Sequence, residues 1–185
     1  MDYSTLLMGI IPLLVFVIVD SFAGLKSALF FTVLMAIAEL SFSLIYFHDV
    51  DFVTIISFVL VFVMAILSYK FNSPIFVKFQ PVILGAVLGL IFLISYMMGK
   101  PLFYILSMKY KEQLPQSIQY ALSNPQMTQL LVISSHLIAY AFFAHALLTA
   151  YAALKWSKWW WIAIRGIGLY FFIFIAAIIS AMMIR

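Results

Sequence analysis

Apolar residues run along this chain in long blocks, and polar residues are confined to the gaps between them. From the N-terminus the blocks are Leu6–Val19, Leu25–Phe47, Phe52–Tyr69, Val82–Met98, Met127–Leu154 and Trp159–Ile184. A membrane-crossing helix needs roughly 20 predominantly apolar residues. Backbone in lipid has no water to bond, so each crossing segment satisfies its own N–H and C=O groups as a helix. The pattern therefore predicts an all-α, polytopic transmembrane helical bundle of about six spans, forming a single transmembrane domain over residues 1–185.

The gaps fit that reading. His48-Asp49-Val50-Asp51, Phe71-Asn72-Ser73-Pro74 and Trp156-Ser157-Lys158 are short turns, so the helices they join are antiparallel neighbours. The long connection is Gly99–Gln126. Within it, Pro101–Lys109 is apolar with a basic end and predicts a short interfacial helix. Pro115–Ser123 predicts a second short helix, with Ile118, Ala121 and Leu122 on one face. The first block is short and is interrupted by Pro12; it crosses with tilt or lies partly in the interface. No Lys or Arg precedes it and no clean A-x-A site follows, so it reads as a retained helix rather than a signal peptide.

Composition narrows the class. Hydrophobic residues make up 67% of the chain and charged residues 9%, against about 45–50% and about 25% in soluble domains. The partner implied first is the lipid bilayer. Cysteine is absent, which excludes disulfides, thiolate metal sites and a cysteine nucleophile. The net charge of +4 includes no basic run that could track a nucleic-acid backbone. There is no G-x-S-x-G, H-E-x-x-H, Walker loop or G-x-G-x-x-G, so no enzyme, cofactor or metal site is predicted. Charge counting divides Lys100, Lys109, Lys111 and Arg185 from Lys26, Lys70, Lys78, Lys155, Lys158 and Arg165, and leaves orientation nearly even.

A few residues stand out against this apolar background. Glu39 lies near the middle of the second block. A carboxylate there costs several kcal/mol or more unless it faces inward and finds a partner or a proton. It reads either as a structural hydrogen-bonding group or as a proton or substrate site. His136, near Ser135 and Tyr140 in the fifth block, is the expected partner. His145 is nine residues from His136, about 900° around a helix, hence on the opposite face and unable to share a metal with it. Asp51 reads as a helix cap and His48 and Asp49 as turn residues, in preference to a metal cluster. Gly85 and Gly89 form a G-x-x-x-G pair for close helix packing, and Ala177 and Ala181 repeat the small-x-x-x-small spacing. The spacing leaves a homo-oligomer open, though a small bundle needs such contacts internally. Trp156, Trp159, Trp160 and Trp161, beside Lys155 and Lys158, read as an interfacial aromatic belt.

Several segments together resemble the intracellular septation protein A family of bacterial inner-membrane proteins. They are Ile11-Pro12-Leu13-Leu14-Val15-Phe16, Phe76-Val77-Lys78-Phe79-Gln80-Pro81, Gly99-Lys100-Pro101-Leu102, and the closing helix that starts with tryptophans and runs through Arg165-Gly166-Ile167-Gly168-Leu169. The resemblance implies a multi-pass protein of the bacterial inner (cytoplasmic) membrane, concerned with septation and envelope maintenance. It implies partners among cell-division and cell-wall synthesis proteins, and places Lys100–Lys111 and the C-terminus in the cytoplasm. The family's basic loop between its second and third spans is net acidic here, at His48–Asp51. Two functions follow: a non-catalytic bundle acting through partners, or, from Glu39, the histidines and the prolines at 12 and 81, a small proton-linked transporter or channel subunit.

Overall fold

The structure, a computed structural model, describes residues 11–47, 52–113 and 115–184. The readings of His48, Asp49 and Asp51, of residues 6–10 and of Arg185 lie outside the described residues. Those described are helical, with no strand among them. The helices are α1 (Ile11–Phe22), α2 (Gly24–Phe47), α3 (Phe52–Lys70), α4 (Ile75–Met97), α5 (Leu102–Lys109), α6 (Gln116–Leu122), α7 (Pro125–Lys155), α8 (Lys158–Ala163) and α9 (Leu169–Met182). A 3-10 turn, Lys111–Gln113, lies between α5 and α6, and a wide π-helical turn, Ile164–Gly168, joins α8 to α9. Among the described residues, four helical stretches are long and apolar enough to cross a membrane: Gly24–Ile45, Ile75–Met97, Pro125–Lys155 and Lys158–Met182. Ile55–Lys70 is apolar but shorter.

Residue chemistry explains the helix ends. Gly24, at φ +78°, ends α1 and starts α2, so the first helix runs past Asp20 and Ser21 instead of stopping at Val19. At the end of α3, Asn72 takes φ +48°, and the N–H groups of Asn72 and Ser73 return to the carbonyls of Tyr69 and Ser68. Gly99, at φ +71°, closes α4 in the same way onto Tyr96 and Ser95. The sequence predicts that the fourth span enters after Pro81, but α4 starts at Ile75 and holds Pro81 inside it. That early start is possible because its first N–H groups are met. Ser73 Oγ accepts from Ile75, Ser68 Oγ from Val77 and the Pro74 carbonyl from Lys78. The two short helices expected in the long connection are present as α5 and α6, with Leu122 buried and Ile118 exposed.

The chain divides into two compact units. The first comprises Met1–Leu84 and Thr149–Gly166, the second Gly85–Leu148 and Ile167–Arg185. In the first unit α1 packs on α2, α2 on α3, and α1 on α8. Its core gathers Phe16, Val17, Val77 and Trp161 with the small residues Ala28, Ala65, Ala152 and Ala153. In the second unit α4 and α7 run antiparallel: Gly85 faces Ala146, Gly89 faces Phe143, Phe92 packs on Phe142 and Tyr96 stacks on His136. Many large apolar side chains point outward instead, including Phe30 (66% exposed), Leu147 (73%) and Phe174 (64%). Small residues inside and large ones outside is the arrangement expected when the surrounding solvent is lipid.

Candidate functional site

Charged side chains enter the first unit at two levels. Ala28, Thr32 and Ala36 are buried at successive i, i+4 positions of α2, and Glu39 continues that face as a half-buried residue. Thr32 returns its hydroxyl hydrogen to the Ala28 carbonyl, 2.7 Å away, so it makes no demand on its neighbours. Four residues beyond the fully buried Trp161 is Arg165, half-buried inside the wide turn Ile164–Gly168. Glu39 and Arg165 lie in each other's electrostatic field. The charged group in whose field Glu39 lies is thus Arg165, whereas the sequence predicts His136 as its hydrogen-bond partner. A charge within a membrane span must be paired, and a π-turn that re-aims one member of a pair often marks a functional place in a helix.

The second level is the end of the first unit where α1, α3 and α7 finish and α2, α4 and α8 begin. Asp20, on α1, forms an ion pair with Lys158 at the start of α8. The Asp20 side chain is 7% exposed and that of Lys158 35%. Ser157 starts α8, its hydroxyl accepting from the N–H of Trp160 at 3.5 Å. Lys78 joins them from the first turns of α4: it is 8% exposed, and its charge interacts with those of Lys158 and Asp20. Val77, beside it, belongs to the same core as Trp161. The side-chain oxygen of Gln80 and the indole N–H of Trp161 are buried there without a hydrogen-bond partner. Lys26 and Lys70 mark this same end, lying over the rings of Tyr69 and Phe71 at 5.7 and 5.8 Å.

The other sequence-predicted residues divide between the two units. His136 and Tyr140 do meet, edge to face at 4.8 Å, and Tyr96 stacks on the same imidazole at 4.8 Å. His145 is buried and turned edge-on to Phe172. Gly85 and Gly89 are both buried but differ in fit. A Cβ on Gly85 would lie at ordinary distance from Ala146, 3.6 Å, whereas on Gly89 it would meet the Phe143 ring at 3.0 Å. Ala177 and Ala181 are exposed; the buried small pair on α9 is Ala176 and Ser180, one residue earlier. Trp156, Trp159 and Trp160 are exposed as a belt requires, but Trp161 is fully buried and belongs to the core. Helical geometry forces this, because three consecutive residues point about 100° apart and cannot share one lipid-facing side.

Sequence reasoning missed Asp20, Lys78, Lys158 and Arg165 as members of buried clusters. Their signal was present: Lys78 lies within Phe76–Pro81, and Arg165 lies within Arg165–Leu169, two of the segments that carry the family resemblance. A family model described as intracellular septation protein A matches residues 5–185. No curated protein matches the chain. No solved structure matches it.

Proposed function

We propose a function from one premise: the chain belongs to the intracellular septation protein A family. It is a non-catalytic protein of the bacterial inner membrane that serves septation and envelope maintenance by holding protein partners of the cell-division and cell-wall synthesis machinery. It crosses the membrane about six times, each apolar block forming one span. The observation that carries this reading is the way charge is handled in the first unit. Asp20 is ion-paired with Lys158, and Glu39 lies in the field of the Arg165 guanidinium. Paired charges of this kind fix how helices sit together, and they need no substrate to explain them.

A charge-free double substitution tests it. Glu39→Gln with Arg165→Gln removes both charges while keeping size and hydrogen-bonding capacity. If the pair is structural, the double variant accumulates at wild-type yield and complements a deletion strain for septation. A protein that accumulates normally yet fails to complement would overturn the reading in favour of a proton-linked transporter, since amides cannot titrate. Cross-linked co-purification from native membranes then identifies the partner. Cysteines placed at Ser73 and Lys111 check the span count, and should label from opposite faces of intact cells.

A further inference from the structure

Helix α7 is longer than hydrocarbon requires. Its residues, Pro125–Lys155, rise roughly 46 Å at 1.5 Å each, whereas a hydrocarbon core is about 30 Å thick and a whole bilayer about 40–45 Å. Tyr96, in the last turn of α4, stacks on His136. Residues 125–134 of α7 therefore extend past the end of α4, by roughly 15 Å. Helix α5 accompanies them. Its first N–H groups are held by Ser95 and Ser135. Just past its far end the Lys111 ammonium donates to Ser123 Oγ at 3.2 Å, two residues before α7 begins. The neighbouring stretch exposes Gln116 and Ser117 on α6, and Gln126 and Gln129 on α7. Such side chains need water or headgroups, not hydrocarbon.

The outer side of α5 has the opposite need. No residue of this helix is buried. Phe103, Ile105, Leu106 and the capping Tyr110 are 36–43% exposed and fall on one side, while Tyr104, Ser107 and Met108 are more covered. Water would leave that apolar side bare, and hydrocarbon would leave the glutamines unbonded; the headgroup boundary meets both demands. The charge at this level has one sign. Lys100 precedes α5, Lys109 ends it and Lys111 follows, with no acidic residue between the first and the last of them. Lys109 lies over the Tyr110 ring at 5.3 Å, at the edge of the apolar side. Lys100 and Lys109 are exposed, and among the described residues neither is in an ion pair. Basic groups at both ends of an exposed apolar strip match anionic headgroups above acyl chains. The strip alone would accept any lipid; the lysines add a preference for negative charge.

We propose that the outer side of α5 is a binding surface for anionic phospholipid: Phe103, Ile105 and Leu106 enter the acyl boundary, and Lys100 and Lys109 take the headgroup phosphates. The surface rests on the chain crossing a membrane and not on its part in septation, so complementation does not decide it. The test uses the full-length protein in nanodiscs of phosphatidylcholine, with or without phosphatidylglycerol. Hydrogen exchange across Leu102–Lys109 should slow about fivefold or more when phosphatidylglycerol is included, the effect of at least one lysine at an anionic surface. Lys100→Gln with Lys109→Gln should lose most of that slowing. Lys155→Gln, at the other end of α7, should keep it. The chain has no cysteine, so single probes can be placed. A bimane label on the Leu106→Cys variant should be quenched by lipid spin-labelled near its headgroup more than by aqueous iodide. A label on Leu147→Cys, an exposed position further along α7, should be quenched by lipid labelled deep in its chains. Equal exchange in the two lipid mixtures overturns the proposal, and so does iodide quenching at Leu106 that exceeds lipid quenching. Shielding of that probe from both quenchers in native membranes alone would overturn it in favour of a protein partner. Should the double lysine variant not accumulate, wild-type exchange and the Leu106 probe decide between these outcomes.

Discussion

The two units solve the problem of cohesion in lipid by different means. The first is held through contents that are expensive to leave alone: a fully buried indole, the Asp20–Lys158 ion pair, a carboxylate and a guanidinium in each other's field, and a buried lysine. The second is held through shape: a glycine seated against a phenylalanine ring, a histidine stacked on one tyrosine and edge-on to another, and serine hydroxyls that cap the start of a helix. Association in a membrane lacks the hydrophobic drive available in water, so packing and polar contacts carry it. What differs is the penalty for error. Removing one member of a charge pair leaves an uncompensated ion, whereas removing a packing contact leaves a void or a local clash. Substitutions in the first unit should therefore cost more than those in the second, and the reverse order would break the comparison.

The largest effect is expected at Trp161. Truncating a buried aromatic residue costs about 3–5 kcal/mol through lost contacts and the cavity left behind. Trp161→Ala should therefore produce a large drop in the detergent melting temperature. Trp159→Ala, on the exposed side of the same helix, should leave it nearly unchanged. Equal effects at the two positions would return Trp161 to the belt.

Next comes the Glu39–Arg165 pair. Arg165→Leu should lower the melting temperature, by less than breaking a buried ion pair would, because Glu39 is half-buried and feels Arg165 through its electrostatic field. Glu39→Leu should cost a similar amount. The double variant should recover most of the loss, and a double-mutant cycle measured by melting gives the coupling directly. Additive losses would show that the two charges do not depend on each other.

Much of this was legible from the pattern of apolar blocks, and what was not has definite causes. The helices and the two short elements of the long connection follow from hydropathy and turn chemistry, both local properties. The partner of Glu39 does not, because Arg165 lies at the other end of the chain and no local periodicity links them. Lys78 was hidden by Pro81: reading the proline as the entry to a span put the lysine in a loop, while Ser68, Ser73 and Pro74 let the helix begin earlier. On α9 the pairs Ala176/Ser180 and Ala177/Ala181 have the same spacing and are both small. Nothing but contact with another element distinguishes them.

In the second unit the two glycines offer an opposed pair of outcomes. Alanine favours a helix over glycine by about 1 kcal/mol. At Gly85 the added methyl meets only ordinary contacts, so Gly85→Ala should hold or raise the melting temperature. At Gly89 the Phe143 ring must yield, and Gly89→Leu should cost about 1–3 kcal/mol by overpacking. If Gly85→Ala is the more damaging of the two, the antiparallel register of α4 and α7 is wrong.

The smallest effect expected is at Ser135, and its location matters more than its size. Helix α5 begins after Pro101, which offers no capping side chain, so its first N–H groups are met from elsewhere. The Leu102 N–H donates to Ser95 Oγ at 3.2 Å, and the Phe103 N–H donates to Ser135 Oγ at 3.1 Å. Ser135, fully buried on α7, passes its own hydrogen to the Leu131 carbonyl at 2.9 Å. One hydroxyl thus caps a short helix and ties it to a long one. Ser135→Ala removes the acceptor and leaves one N–H unmet, a cost of about 1 kcal/mol, as for the loss of a helix cap. The global melt should barely move. Hydrogen exchange should rise at the start of α5, and a cysteine at Tyr104 should label faster than in the wild type. Unchanged exchange at Phe103 would show that α5 is held by its apolar side chains alone, and the second unit would then rest on shape even where a hydroxyl is in reach.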